Sequence, residues 1–221
     1  MPSIDHLVVI GDVHGESVKL SRAIQAIRNQ SVEIVFVGDY VNRGPDSRGV
    51  IDQLLELKRE FGERLTLLRG NHDQVLLDFL NYGDIAALVG HGGIATVRSY
   101  MSESQGGFEE FRDLFPEAHL SLLNSTVDFY EDHQLLITHA GFDPSRVGCR
   151  DGDAVRGSGH RELFSYNGPF PNKFTIFGHY VQRTGRPWVT DSMACIDTGC
   201  GSIPGAPLSV MYWPSKKMEM Y

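Results

Sequence analysis

Five short apolar runs in this 221-residue chain each break off directly into a polar cluster of Gly, Asp, Asn and His, and that pattern constrains the fold more than any other. Residues 7–10 run into Gly11-Asp12-Val13-His14-Gly15, and residues 34–37 into Gly38-Asp39-Tyr40-Val41-Asn42-Arg43-Gly44. Residues 65–68 lead to Gly70-Asn71-His72-Asp73, residues 135–138 to His139-Ala140-Gly141, and residues 174–177 to Gly178-His179. Short apolar runs rich in β-branched residues predict strands buried on both faces. Residues 194–196 and 208–213 read the same way. Between the early runs lie helical patterns. Residues 16–28 carry Val18, Ala23, Ile24 and Ile27 in phase, and residues 47–59 stand behind an Asp46 cap. Strands alternating with helices predict α/β layering. Residues 73–124 read as helices broken by glycines, and residues 143–171 as a loop-rich stretch. The remainder has few helices and predicts a more antiparallel second sheet. No long polar linker interrupts the chain, so a single domain over residues 1–221 is expected.

Composition excludes several function classes. Lys plus Arg number 20 against 28 Asp plus Glu, a net charge of −8 with neutral histidine. Affinity for a nucleic-acid duplex comes from clustered Lys and Arg, so such a partner is not expected. The cysteines Cys149, Cys195 and Cys200 form no C-x-x-C pair, which argues against a thiolate zinc site and for a reducing compartment. No apolar stretch approaches the ~20 residues that cross a bilayer. The first residues show no basic region or long apolar run of the signal-peptide kind. A soluble, cytoplasmic protein is the expectation.

In open α/β sheets, ligands bind beyond the carboxyl ends of the strands. Asp12, His14, Asp39, Asn71, His139 and His179 all follow predicted strands, giving a mixed nitrogen and oxygen donor set without sulfur. That chemistry suits a hydrolytic Mn, Fe or Zn centre better than a structural zinc. Phosphoester hydrolysis at two metals requires a carboxylate able to bridge them and a cation to clamp phosphate oxygens, and Arg43 beside Asp39 offers the planar fork.

These clusters, in this order and spacing, resemble the phosphoprotein phosphatase (PPP) family of metallophosphoesterases, over about residues 8–200. The bacterial and phage branch is similar in size, and Ile196-Asp197-Thr198-Gly199-Cys200 also resembles bacterial members. Relatives in the wider calcineurin-like superfamily usually carry Gly-His-x-His in the last motif, whereas Gly178-His179-Tyr180-Val181 lacks the second histidine. The resemblance implies a calcineurin-like α/β fold, a central β-sandwich of mixed sheets flanked by helices. It also implies two divalent ions, manganese foremost with iron, zinc or cobalt as alternatives. Asp12, His14 and Asp39 would bind the first; Asp39, Asn71, His139 and His179 the second, with Asp39 bridging and a bridging hydroxide attacking in line. His72 would be the general acid and Arg43 a phosphate clamp. A second phosphate-binding arginine is matched best by Arg161, within Arg161-Glu162-Leu163-Phe164, and less well by Arg156.

One position departs from the family. An Asp usually stands where this chain has Asn42, and pairs with the general-acid histidine. An amide adds no charge to hold the imidazolium, so a weaker, more substrate-dependent general acid is expected. The implied activity is a protein serine/threonine phosphatase acting on a phosphoprotein or a small phosphorylated substrate. Two alternatives stay open. A symmetrical dinucleoside tetraphosphate hydrolase also lacks the acid at this position, and a non-catalytic metal- or phosphate-binding module would keep the fold alone. His6, His91, His119, His133 and His160 have no motif support and read as surface or packing residues. Asp73 reads as a helix cap, Asp197 and Cys200 as turn residues, and Tyr212, Trp213 and Tyr221 as packing.

Overall fold

A computed structural model describes residues 5–101, 106–157, 159–166, 168 and 173–221. Residues 1–4, and residues 158, 167 and 169–171 of the expected loop, lie outside the described residues. The elements run β1 (Leu7–Ile10), α1 (Ser17–Ile27), β2 (Glu33–Phe36), α2 (Ser47–Phe61), β3 (Leu65–Leu67), α3 (Asn71–Tyr82), α4 (Ile85–Gly90), α5 (Ile94–Tyr100), α6 (Phe108–Asp113) and α7 (Glu117–Asn124). Then come β4 (Phe129–Glu131), β5 (Leu135–Thr138), α8 (Gly152–Arg156), β6 (Phe174–Phe177), β7 (Trp188–Val189), β8 (Met193–Cys195), β9 (Ser209–Trp213) and β10 (Met218–Met220).

Two five-stranded sheets result, ordered β10-β9-β1-β2-β3 and β4-β5-β6-β8-β7. In the first, β1, β2 and β3 are parallel and β9 returns antiparallel beside β1. The second half is less antiparallel than its sequence suggests, because β5, β6 and β8 pair in parallel and only the edges β4 and β7 reverse. Parallel strands need crossovers. Here the connection from β5 to β6 contains α8 and a 3-10 turn at Arg161–Ser165, too short to announce themselves in periodicity.

Side-chain alternation explains the unbroken apolar runs. Leu7 and Val9 of β1 face the second sheet, in one buried cluster with Val35, Ile137, Ile176 and Ala194. Val8 and Ile10 face the other way, packing with Leu20, Ile24, Ile51 and Leu54 of α1 and α2. A strand covered on both faces cannot alternate with polar residues. Helix α1 departs from the expected phase at one position, since Val18 is 61% exposed while Leu20, Ala23, Ile24 and Ile27 turn inward. Helix α2 starts as its sequence indicates, the Asp46 carboxylate accepting from the Gly49 N–H at 2.9 Å. Trp213 stacks on Phe174 as ordinary packing. Among the described residues no helix is long and apolar enough to cross a membrane.

Candidate metal centre

All five polar clusters follow strand ends, and they meet where the carboxyl ends of β1, β2 and β3 face those of β5 and β6. Asp39, in the turn after β2, stands at the centre. Its Oδ2 lies 3.4 Å from Nε2 of His14, 3.5 Å from Nε2 of His139 and 4.0 Å from Nε2 of His72. Two groups of donor atoms, each within 4.8 Å of one another, therefore share Asp39: one with His14 and His72, the other with His139 and His179. Asn71 joins the second side, its Oδ1 lying 3.1 Å from Nε2 of His139 and 2.9 Å from Nδ1 of His179. Asp12 belongs to neither group. Its carboxylate accepts from the backbone N–H of His179, linking the β1 turn to the β6 turn.

Backbone conformation holds this arrangement. His14, Asp39, Asn42, Arg43 and His179 all have left-handed φ, between 43° and 70°. Such residues cost of order 1–3 kcal/mol each unless the surroundings enforce them, and they cluster where function needs them. The surroundings here include Asp73. Rather than only capping α3, its buried carboxylate accepts from the backbone N–H groups of Gly70, Asp39 and Tyr40, at 2.8–2.9 Å. It ties the turn after β3 to the turn after β2. Sequence reading missed this role, although the acid three residues past Gly70 was a visible signal.

The donor set fits divalent cations. His14 and His139 each donate Nδ1–H to a backbone carbonyl, of Val41 at 3.0 Å and Val37 at 2.9 Å, which turns the Nε2 lone pairs inward. Burial, with the Arg43 charge, holds the His14 imidazolium down to about 3. Burial also holds His139 well below the usual range, and burial with the charge of Arg43 lowers His179 to about 4. Burial and mutual repulsion with Asp197 raise Asp12 well above the carboxylate range, and burial and Asp73 do the same for Asp39. Asp197 itself rises to about 6 through burial, and its Oδ2 is buried with no hydrogen-bond partner among the described residues. Converging lone pairs and crowded carboxylates are the electrostatics of a site built around positive charge. The guanidinium of Arg43 partly supplies that charge, donating to Nε2 of His14 at 2.9 Å, to Nε2 of His72 at 2.8 Å and to Oγ of Ser202 at 2.6 Å.

His72 is buried at the start of α3, its ring edge-on to His14 and to His91. Burial, then the neighbouring charges of His14 and Arg43, depress its pKa strongly. The Asn42 amide is gripped at both ends: Nδ2 faces Nδ1 of His72 at 3.2 Å, and Oδ1 accepts from the Thr96 hydroxyl at 2.8 Å. With Arg43 on the far side, donors meet both ring nitrogens, although the ring carries a proton of its own. A half-turn of the amide would set Oδ1 against Nδ1–H and remove that conflict. Thr96 and His91, on and just before α5, had no motif to mark them; Thr96 lies 54 residues from Asn42 and His91 lies 19 from His72 in sequence, and they meet only through the fold.

The two arginine candidates separate. Arg161 is exposed on its 3-10 turn, its guanidinium 5.7 Å from the centre of the Tyr180 ring, and near enough for its charge to lower His179. Arg156, the weaker sequence match, lines a cavity of about 340 Å³ with Asn71, Gln74 and Gly157. It donates to Gln74 and pairs with Asp128 at 3.2 Å.

Residues 6–190 match the sequence pattern described as calcineurin-like phosphoesterase. Over 150 residues, 67% of its length, the chain is 30% identical to a PP2A-like serine/threonine-protein phosphatase of Candida albicans. That stretch spans 31% of the relative's own length, and for a Caenorhabditis elegans relative the share is 18%. Among solved structures, one protein provisionally named diadenosine tetraphosphatase superposes with a TM-score of 0.69 at 20% identity, over 100% of this chain and 95% of that one. A cold-active protein-tyrosine phosphatase from a psychrophilic Shewanella does so at 0.63 and 17%, over 100% and 82%.

Proposed function

The chain belongs to the calcineurin-like phosphoesterase family, and from that premise we propose that it is a phosphoric ester hydrolase that removes phosphate from phosphoserine and phosphothreonine in proteins at a dinuclear metal centre. The observation that supports two ions is the position of Asp39, whose one carboxylate oxygen is shared by both donor groups. Asp12, His14 and Asp39 would hold one ion; Asp39, Asn71, His139 and His179 the other. Nitrogen and oxygen donors without sulfur favour manganese, with iron, zinc and cobalt as alternatives. When bound, the ions supply Lewis acidity for activating water and for neutralising charge on the phosphoryl group.

The chain's own residues do the rest. Arg43, already reaching past His14 and His72, would turn its fork to two phosphate oxygens. Arg161, whose charge reaches His179, and Arg156, which shares a cavity with Asn71, are the two candidates for the second guanidinium. His72 would hold a proton at Nε2 and pass it to the leaving oxygen. Asn42, braced by Thr96, orients that ring without charging it. Because an aspartate would accept from Nδ1–H and favour the imidazolium, Asn42→Asp is expected to move the alkaline limb of the kcat profile to higher pH. On a poor leaving group it should raise kcat about tenfold, a fraction of the 10²–10⁴ that general acids contribute. An unchanged profile on alkyl and nitrophenyl phosphates alike would remove His72 from the role of acid.

The deciding experiment is a substrate panel with Mn²⁺ and with EDTA, containing phosphoserine and phosphothreonine peptides, a phosphotyrosine peptide, aryl phosphates and diadenosine tetraphosphate. Peptide phosphate release that needs Mn²⁺ is the expected result. ADP release from the dinucleotide at a far higher kcat/KM would instead favour the tetraphosphatase alternative, with which Asn42 also agrees.

A further inference from the structure

Arg43 faces two ways. One side of its guanidinium meets His14 and His72; the other opens on a groove of about 600 Å³ lined by Arg43, Val181, Arg183, Ser202 and Ile203. We propose that this groove is a subsite for the leaving group, selecting phosphate esters whose leaving group carries a second anionic group. The proposal rests on the phosphoric ester hydrolase activity and deepens the substrate assignment above.

Two loops form the groove, and both are fixed. The loop after β6 is held by the Gln182 N–H on the Asp197 carbonyl at 2.8 Å and by the Gln182 side chain on the Tyr180 carbonyl at 2.7 Å. The loop before β9 folds on itself, Ser202 and Ile203 both donating backbone N–H to the Gly199 carbonyl, at 2.9 and 2.8 Å. Gly199, with φ of 88°, lets the walls close: a Cβ there would lie 3.0 Å from Cδ1 of Ile203 and 3.2 Å from Cγ1 of Val181. Those two side chains form one continuous apolar wall. The polar ends are cationic or hydroxylic, and no carboxylate lines the groove. Ser202 is bonded to Arg43 at 2.6 Å, which joins the outer wall to the proposed phosphate clamp.

Arg183 lines the groove with Arg43. Its side chain is exposed and, among the described residues, makes no hydrogen bond or ion pair, as is true of Arg22, Arg59, Arg98, Arg112 and Arg186; what sets Arg183 apart is its place in this groove. A guanidinium on a braced loop, across an apolar wall from a phosphate clamp, is placed to meet a carboxylate or phosphate beyond the scissile oxygen. The acidic chain as a whole would repel such a ligand; the groove locally reverses that sign.

The test compares phenyl phosphate with 4-carboxyphenyl phosphate, both with Mn²⁺, for the wild-type protein, R183Q and R183K. The ratio of kcat/KM for the carboxylated over the plain ester is expected to fall about fivefold in R183Q at low ionic strength, the size of one partly solvated charge pair. R183K should hold most of that ratio, and added salt should erode it in the wild type. The same ratio in wild type and R183Q, whether both activities fall together or neither changes, would overturn the subsite. Phosphoserine peptides bearing Glu or Gln two residues after the phosphoserine, and diadenosine tetraphosphate, then show whether carboxylate or phosphate is the natural second anion. If the wild-type protein cleaves the aryl pair but no phosphopeptide, the protein-phosphatase assignment fails while the subsite is still decided by the aryl ratio.

Discussion

Asp39→Asn is expected to lower Mn²⁺-dependent turnover of every phosphate ester by at least about a thousandfold, above the 10²–10³ that a single preorganised electrostatic group commonly contributes. The size of the effect follows from sharing. Oδ2 of Asp39 is 3.4 Å from the His14 nitrogen and 3.5 Å from that of His139, so one substitution strips charge from both donor groups. Oδ1 is committed to the backbone N–H of His72 at 2.9 Å, so an amide turned to keep an oxygen inward would present its NH₂ to that donor. The metal-free fold should not suffer. Burial and Asp73 already raise the Asp39 pKa, so its ionised form is a cost to folding at neutral pH, and a neutral amide relieves it. Thermal melts separate the two effects: with EDTA, D39N should melt at or above the wild-type temperature, and only the wild type should gain from Mn²⁺. A loss of activity below tenfold would show that Asp39 does not serve both halves.

The second large effect is expected from a methyl group. Gly70→Ala places Cβ onto Oδ1 and the backbone nitrogen of Asp39, with Cγ of Asp39 at 2.8 Å. No side-chain rotation relieves this, because the Asp39 nitrogen is held by Asp73 and Oδ1 by His72. The two turns must move apart, carrying Asn71 and His72 with them. Misplacement of about 1 Å can cost 10²-fold in rate, and overpacking about 1–3 kcal/mol in stability. Activity should fall by about a hundredfold, with a modest loss in Tm. Gly90→Ala is the control, since a Cβ at Gly90 meets nothing within 4 Å. Wild-type kcat in G70A would mean that the close approach of the two turns does not set the geometry.

Much of this arrangement is legible in the sequence. Strands covered on both faces must be written as apolar runs, and the polar residues that follow them have no other place to go than the sheet ends. What stayed hidden were contacts between segments that each looks ordinary alone. Asp73 reads as a cap because its neighbours on α3 are near in sequence, while Asp39 and Tyr40 are 34 and 33 residues away. Thr96 is one small residue on a seven-residue helix, and nothing local distinguishes it from a solvated threonine. Asp197 reads as a turn residue, and it does accept from the Gly199 N–H at 2.8 Å, but its burial beside Asp12 is a property of the sandwich. The parallel centre of the second sheet was masked by short crossovers, and the cavity that sets Arg156 beside Asn71 has no local signature in the sequence.

The sandwich divides the donors unevenly: Asp12, His14, Asp39 and Asn71 follow strands of the first sheet, His139 and His179 strands of the second. On the proposed ligand assignment, an ion held by both sheets works as a buckle. It has high affinity only for the closed sandwich, so its binding energy returns to the protein as coupling between halves that otherwise meet through apolar side chains and a few polar contacts, such as Asp12 with the His179 N–H and His139 with the Val37 carbonyl. Amide hydrogens in β5 and β6 should therefore exchange more slowly when Mn²⁺ is added, in step with those of β1 and β2. Catalytic competence and the mechanical unity of the fold would then be two readouts of the same bound ions.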